Sequence, residues 1–361
     1  MSSFPYVGFP AYERMDASSF HGRAGELALL ADTYTEETEE RGKLLVVYGP
    51  GGVGKTSFVQ AGLWPLARRS RDVARFLRFA PAADETLATF VRRVRNEVGR
   101  FASDPARRPM VFVDELDRVM GPILGGEPDP ERQAALSGLL AILSQAALRG
   151  IARVVLALRE PWSRTLEQSP GNDQFAVHRT VFFRLDFLSP AGLDAVLRNP
   201  FARWLARHPA EGVTPTSLLE HYFTELTAHP ASLPLFSALA RRAHDLRALP
   251  PTLSILDFAC DHAERLIADW DPATRERFPV FHELFRAAAV RHAPAGPSAA
   301  AWAILAADPD ARDIALRLVD ARLLTVRGPR WDTAELCLTH DAWLTDCPAV
   351  AARLRSPGNS G

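Results

Sequence analysis

The 361 residues carry 42 lysines and arginines against 43 aspartates and glutamates, a formal net charge of -1. The chain therefore shows no overall bias toward nucleic acid or an anionic membrane. No run of 18 apolar residues is present, so nothing reads as a transmembrane helix, and MSSFPYVGFPAYERMD lacks the basic-then-apolar pattern of a secretory signal.

The length suffices for two or three compact domains. Ala24 to Glu40 is a charged, helix-like stretch. LLVVY (44–48) is a short apolar run of the buried-strand type. A glycine-rich turn follows, and the helix after it is expected from about Lys55 to Arg69. RFLRFA (75–80) reads as a second strand. Leu87, Phe90, Val91, Val94 and Val98 then recur at helical spacing. PMVFVDELD (109–117) is a third strand, ending in acids. A glycine- and proline-rich loop (121–131) leads to a helix over 131–149. ARVVLALRE (152–160) and TVFFRLDF (180–187) are the fourth and fifth strands. Apolar strands alternating with helices predict a parallel sheet covered on both faces.

The pattern changes at Ser189. Helical periodicity dominates to about Ala293, beginning at Ser189-Pro190, with serine as N-cap and proline at the first helical position. Prolines near 250 and at 294–297 mark connections. ARDIALRLVDARLL (311–324) is a helix. TVRGPRW (325–331) and ELCLTH (335–340) are short strands around a Gly-Pro turn. A helix followed by a β-hairpin fits a winged helix. The expected plan is an α/β P-loop domain over 1–187, an all-α lid over 188–293, a winged helix over 294–355 and a flexible tail over 356–361. No repeat of 20 to 50 residues is evident. Cys260, Cys337 and Cys347 lie far from metal-ligand spacing. Three unclustered thiols fit a reducing cytosol, so a cytoplasmic location is expected.

Gly49 to Thr56, GPGGVGKT, matches G-x-x-x-x-G-K-[ST] in full, after a strand and before a helix. The loop residues Gly49, Gly51, Gly52, Val53 and Gly54 can turn successive N–H groups inward as an anion nest. The following helix, with Ser57 in its first turn, adds the positive end of its dipole. Lys55 is expected at the β- and γ-phosphates, and Thr56 at Mg²⁺. Apart from Lys43, Lys55 is the chain's only lysine. In a sequence so skewed toward arginine, as a GC-rich bacterial genome produces, a lysine in this slot points to a chemical requirement. Asp114, at the end of VFVD, is the expected second Mg²⁺ ligand. Glu115 or Asp117 could position the attacking water; a solvated acidic loop is the plain alternative. Arg159, closing VVLALR, is expected to face the γ-phosphate from a strand lying between the P-loop strand and the Asp114 strand. An ordinary surface arginine is the competing reading.

With these residues placed, the chain resembles the nucleotide-binding oligomerisation module of bacterial STAND NTPases, in the novel STAND branch related to AAA+ and NB-ARC proteins. The resemblance spans roughly 5 to 355. It rests on PYVGFPAYERMDASSFHGRAGEL (5–27), GKTSFVQAGLWPLAR (54–68), VFVDELDR (111–118), VVLALREPW, FLSPAGLDAVLRNP (187–200), HPASLPLFSALAR (229–241), and LVDARLLTVRG with LTHDAWL (318–328, 338–344). Departures are Ala24 for a usual glutamate, Glu115 for glutamine and Ala231 for glycine. The resemblance implies an AAA+-like sheet, lid and winged helix, ATP or ADP with Mg²⁺, and nucleotide contacts at Arg23, at Pro234 against the base and at His340 on the ADP β-phosphate.

It further implies a switch with an ADP-bound closed state and an ATP-bound open state able to self-oligomerise. Hydrolysis would be slow and serve to reset it, in bacterial signalling or anti-phage defence. The effector and sensor are expected on separate chains, with no membrane partner. Two alternatives stay open. One is an ATP-dependent DNA-binding regulator using Arg317, Arg322, Arg327 and Arg330, against which the balanced charge speaks. The other is a nucleotide-binding scaffold that never hydrolyses.

Overall fold

All five apolar runs become strands of one parallel sheet: β1 (Leu44–Gly49), β2 (Arg75–Phe79), β3 (Pro109–Val113), β4 (Arg153–Arg159) and β5 (Thr180–Arg184). The structure is a computed structural model. It describes residues 6, 8, 10–34, 44–69, 73–82, 85–101, 108–116, 130–168, 180–198, 215–245, 254–291, 298–301, 304–305, 307–328 and 334–338. The strand order is β2-β3-β4-β1-β5, so β4 stands between the P-loop strand and the Asp114 strand, as expected of an additional-strand P-loop fold.

Strand periodicity assigns the core. Alternate residues point to opposite faces. Leu44, Val46, Val111, Val113, Val154 and Leu156 join one apolar cluster, while Leu45, Val47, Met110, Phe112, Val155 and Ala157 join another. The first face is covered by α3 (Leu87–Gly99), through Phe90, Val91, Val94 and Val98, and by α4 (Pro130–Leu148), through Leu139, Leu140 and Leu143. Thr86 caps α3, its hydroxyl accepting the Thr89 N–H. The second face carries α1 (Ala24–Tyr34) and the helix after the glycine loop. That helix, α2, runs through Lys55–Ser57, a π-helical stretch Phe58–Leu63 and Trp64–Arg69. A short helix, α5 (Glu160–Gln168), leaves β4 directly.

Beyond the sheet the chain is helical: α6 (Pro190–Val196), α7 (Pro215–Ala228), α8 (Leu233–Asp245), α9 (Ile255–Asp269) and α10 (Pro272–Ala288). Ser189 caps α6 by accepting the Gly192 N–H, with Pro190 in its first turn. Ser254 and Asp257 form a capping box at the start of α9. A second sheet follows, from β6 (Ala289–Arg291), β7 (Ser298–Ala301), β8 (Leu324–Arg327) and β9 (Glu335–Leu338), with α11 (Pro309–Asp320) inserted. Its order is β6-β7-β9-β8, and all its pairs are antiparallel. The α11 helix and strands β8 and β9 appear in the expected order, but the helix expected over 311–324 ends at Asp320 and Leu324 already belongs to β8. Strands β6 and β7, AVR and SAAA, carry no readable signal, because alanine has little strand preference and so few residues show no period. They pair with each other across position 293.

A third apolar cluster joins α6–α11 to the second sheet. Apart from Tyr6, all its buried members lie from Leu188 onward. The buried members of the two sheet-face clusters lie between Leu30 and Leu185.

Candidate functional site

The site is built at the C-terminal ends of the parallel strands, where open α/β sheets hold their ligands. β1 ends at Gly49, whose φ is 154°. A Cβ there would sit 2.1 Å from the Leu185 carbonyl oxygen, so only glycine lets the loop leave the strand beside β5. Gly54 precedes α2 and places Lys55 and Thr56 in its first turn, where backbone N–H groups have no intrahelical partner. The Lys55 ammonium folds back over its own loop, donating to the carbonyls of Gly49 (2.9 Å) and Pro50 (2.8 Å).

Asp114 follows β3 and is 1% exposed. The Thr56 hydroxyl donates to its Oδ1 at 3.0 Å. Arg78, on β2, grips Oδ2 through Nε (3.1 Å) and Nη2 (2.8 Å). Burial pushes the Asp114 carboxyl above the usual aspartate range. The guanidinium of Arg78 and the Thr56 hydroxyl pull it back, while Glu115 adds to the rise. Glu115 has a φ of 51°, a left-handed conformation costing a non-glycine residue about 1–2 kcal/mol. Its N–H donates to Asp114 Oδ1 at 3.1 Å. Asp117 lies outside the described residues.

Arg159 ends β4 in register with Gly49. Its Nη2 lies 2.9 Å from Oδ1 of Asp320, the last residue of α11. Arg23 is 5% exposed. It donates to the carbonyls of Val53 (3.0 Å) and Asp186 (2.6 Å) and pairs with Glu26 at 2.7 Å, so it braces the back of the loop. Ser57 Oγ accepts the Tyr12 N–H at 3.0 Å.

Two other parts of the chain reach the glycine loop. A methyl group at Gly52 would lie 3.3 Å from Pro234 Cγ, at the start of α8. The hydroxyl of Thr325, on β8, donates to the Gly51 carbonyl at 3.0 Å in a buried contact. Next to it, the Gly328 N–H donates to Oε2 of Glu160 at 3.2 Å, and Arg184 donates to Oε1 of the same carboxylate at 2.9 Å. His340 lies outside the described residues.

Beside the loop lies a cavity of ≈ 460 Å³, within the size range of small-molecule sites. Its lining includes Gly51 to Ser57, Arg78, Asp114, Glu115, Arg159 and Arg322 together with the apolar Leu188, Val196 and Pro234 and the ring of Tyr6. Backbone N–H groups and cations thus share one cavity with apolar side chains, a mixture that suits a polyphosphate joined to an aromatic base. The Thr56 hydroxyl and Asp114 carboxylate are hard oxygen donors that suit Mg²⁺. Among the described residues no group of three or more His, Cys, Asp or Glu could hold a metal alone.

Sequence reasoning missed Arg78, Asp320, Thr325 and Glu160. The alternation of RFLRFA offered a signal for Arg78, because a charged residue near the C-terminal end of a strand borders the site. The other three depend on how distant segments meet.

No helix among the described residues is long and apolar enough to cross a membrane. The model of the family described as Novel STAND NTPase 1 matches residues 5–356. A search of curated proteins finds no match. Among solved structures, the Aeropyrum pernix ORC1 protein in complex with DNA is 13% identical, over 96% of this chain and 93% of that one, with a TM-score of 0.46. A chain of the E. coli MS115-1 HORMA:CdnC:Trip13 complex is 11% identical, over 70% of this chain and 91% of that one, with a TM-score of 0.45.

Proposed function

Because the chain belongs to the novel STAND NTPase 1 family, we propose that it is an ATP/ADP-controlled switch whose slow hydrolysis resets it. The observation that carries this reading is the pair of contacts made on the glycine loop by two other parts of the chain. The loop belongs to the parallel sheet, yet Gly52 meets Pro234 of the helical region and Gly51 meets Thr325 of the second sheet. A ligand held at that meeting point touches parts that can separate. It therefore has different affinity for closed and open arrangements, which is what a switch requires.

In this reading Lys55 leaves the Gly49 and Pro50 carbonyls for the β- and γ-phosphates, and the loop N–H groups from Gly51 to Thr56 cradle them. Thr56 and Asp114 hold Mg²⁺, which neutralises phosphate charge when bound. Arg78 offsets the Asp114 charge when the metal is away. Glu115, or Asp117, orients the attacking water, and Arg159 faces the γ-phosphate. Pro234 lies against the base. His340 follows β9 and supplies the β-phosphate contact of the closed state, with α11 and the β8–β9 hairpin as the winged helix. ADP favours the closed state, and ATP an open state competent to self-associate.

The test is titration of fluorescent ATP and ADP analogues into wild type and Lys55→Ala, with small-angle scattering in each nucleotide. Removing a buried charge-assisted contact should weaken binding by roughly 100-fold. Affinity retained within about twofold would remove the loop from the site. Identical scattering in ADP and in a non-hydrolysable ATP analogue would leave a binding protein without a switch.

A further inference from the structure

We infer that Asp320 sets the choice between diphosphate and triphosphate at this site, by competing with a γ-phosphate for Arg159. The inference rests on the nucleotide reading above and adds the residue that makes the site sense the third phosphate.

Arg159 stands beside Gly49 at the end of β4 and borders the same cavity as Lys55 and Thr56. Its guanidinium, 16% exposed, is paired with Asp320, 53% exposed, at 2.9 Å. A pair with one well-solvated partner contributes little net stability, so a stronger acceptor can displace it. A γ-phosphate is such an acceptor, with up to two charges and three oxygens against one carboxylate, in a geometry that suits bidentate arginine.

The displacement has a consequence because of where Asp320 sits. It is the last residue of α11, and Thr325, five residues on, holds the Gly51 carbonyl. The turn between them is tight. The N–H of Leu323 donates to Leu318 and that of Arg322 to Val319, so Asp320 and Thr325 move together. A γ-phosphate that takes Arg159 leaves the Asp320 carboxylate facing an anion and repelled by it. Relief comes from lifting the α11–β8 turn, which also withdraws Thr325 from the loop. ADP ends one phosphate short and leaves the Arg159–Asp320 pair in place. The differential contact of the two nucleotides with the two arrangements is thus an arginine exchanged between carboxylate and phosphate.

The experiment measures dissociation constants for ADP and for a β,γ-methylene ATP analogue in wild type, Asp320→Asn, Arg159→Ala and the double variant. Asp320 is exposed at a helix end, so the substitution leaves the fold intact, which circular dichroism verifies. Asp320→Ser provides a second variant. Asp320→Asn should tighten the triphosphate analogue roughly three- to tenfold and change ADP by less than about twofold. With Arg159 already alanine, the gain should fall below half, as a double-mutant cycle reads. An unchanged ATP-to-ADP ratio, an equal gain for both nucleotides, or a full gain without Arg159 overturns the inference while leaving the nucleotide site standing. Wild-type protein that binds neither nucleotide overturns both.

Discussion

The two sheets of this molecule are held in different ways. The parallel sheet is buried on both faces: β1, β3 and β4 are enclosed at nearly every position, and each face has its own apolar cluster. The second sheet has strands of three or four residues and shares its core with the helices from Leu188 onward. Where the two approach at the glycine loop, the contacts include a hydroxyl on a carbonyl, an amide on a carboxylate and an ion pair. Burial makes each half rigid, and directional polar groups are among the contacts that join them. Apolar burial is non-directional and accumulates with area, whereas a few hydrogen bonds can be exchanged for ligand contacts at small net cost. The difference would let one chain serve both as a firm scaffold and as the switch proposed above.

The largest expected effect falls on the scaffold. Gly49→Ala forces a Cβ to within 2.1 Å of the Leu185 carbonyl at a φ of 154°, and should lower stability by roughly 3 kcal/mol or more. Thermal unfolding would read this as a drop of about 6 °C or more. A drop of less than a degree would mean that the strand ends are not packed as described. The second effect falls on the joint. Thr325→Val leaves the Gly51 carbonyl without its buried donor, at about 1–2 kcal/mol. Hydrogen exchange should speed up in β8 and stay unchanged in β1. Equal acceleration in both would break the contrast between the halves. The smallest effect concerns the core beyond Leu188. His262, on α9, donates from Nε2 to the Ala321 carbonyl at 3.1 Å. Burial holds its pKa below the ordinary histidine value of 6.5, against a smaller upward pull from that hydrogen bond. The unfolded chain therefore binds the proton more readily, and stability from this group is present above the unfolded value and lost as pH falls from there through the lower folded value. Urea unfolding at pH 7.5 and 5.5 should show a loss at the lower pH that is smaller in His262→Gln. A gain at low pH would reverse the sign.

The sequence was legible where one physical signal dominated. The continuous apolar runs of β1, β3 and β4 pointed to strands covered on both sides, and the glycine spacing of 49–54 announced an anion nest. Ser189-Pro190 announced a helix start. Legibility ended where structure depends on distant pairing. Strands β6 and β7 are alanine-rich and short, and owe their existence to the ladder that β9 offers β7. The Arg78–Asp114 pair follows from strand order, and the partnership of Arg159 with Asp320 joins residues 161 positions apart. An arginine at a strand end suggests a phosphate, but nothing local reveals the carboxylate that reaches it first.

The segment from Tyr6 to Tyr12 has a bearing on how the molecule is assembled during synthesis. Among its described residues, the Tyr6 hydroxyl donates to the Val196 carbonyl, the Gly8 N–H to Ser237, and the Tyr12 N–H to Ser57. Tyr6 also packs edge-on against Phe236, with ring centroids 5.2 Å apart. Tyr6 and Gly8 therefore find partners 190 and 229 positions further along the chain, and these must be synthesised before the contacts can form. The parallel sheet can form without them, since its buried members end at Leu185. The wall of the cavity that they supply comes late, by closure of a very long loop, and such closures are slow. A nascent chain halted before Ser237 would carry a formed glycine loop with an unfinished pocket, so full engagement of a nucleotide would report that translation has passed that point.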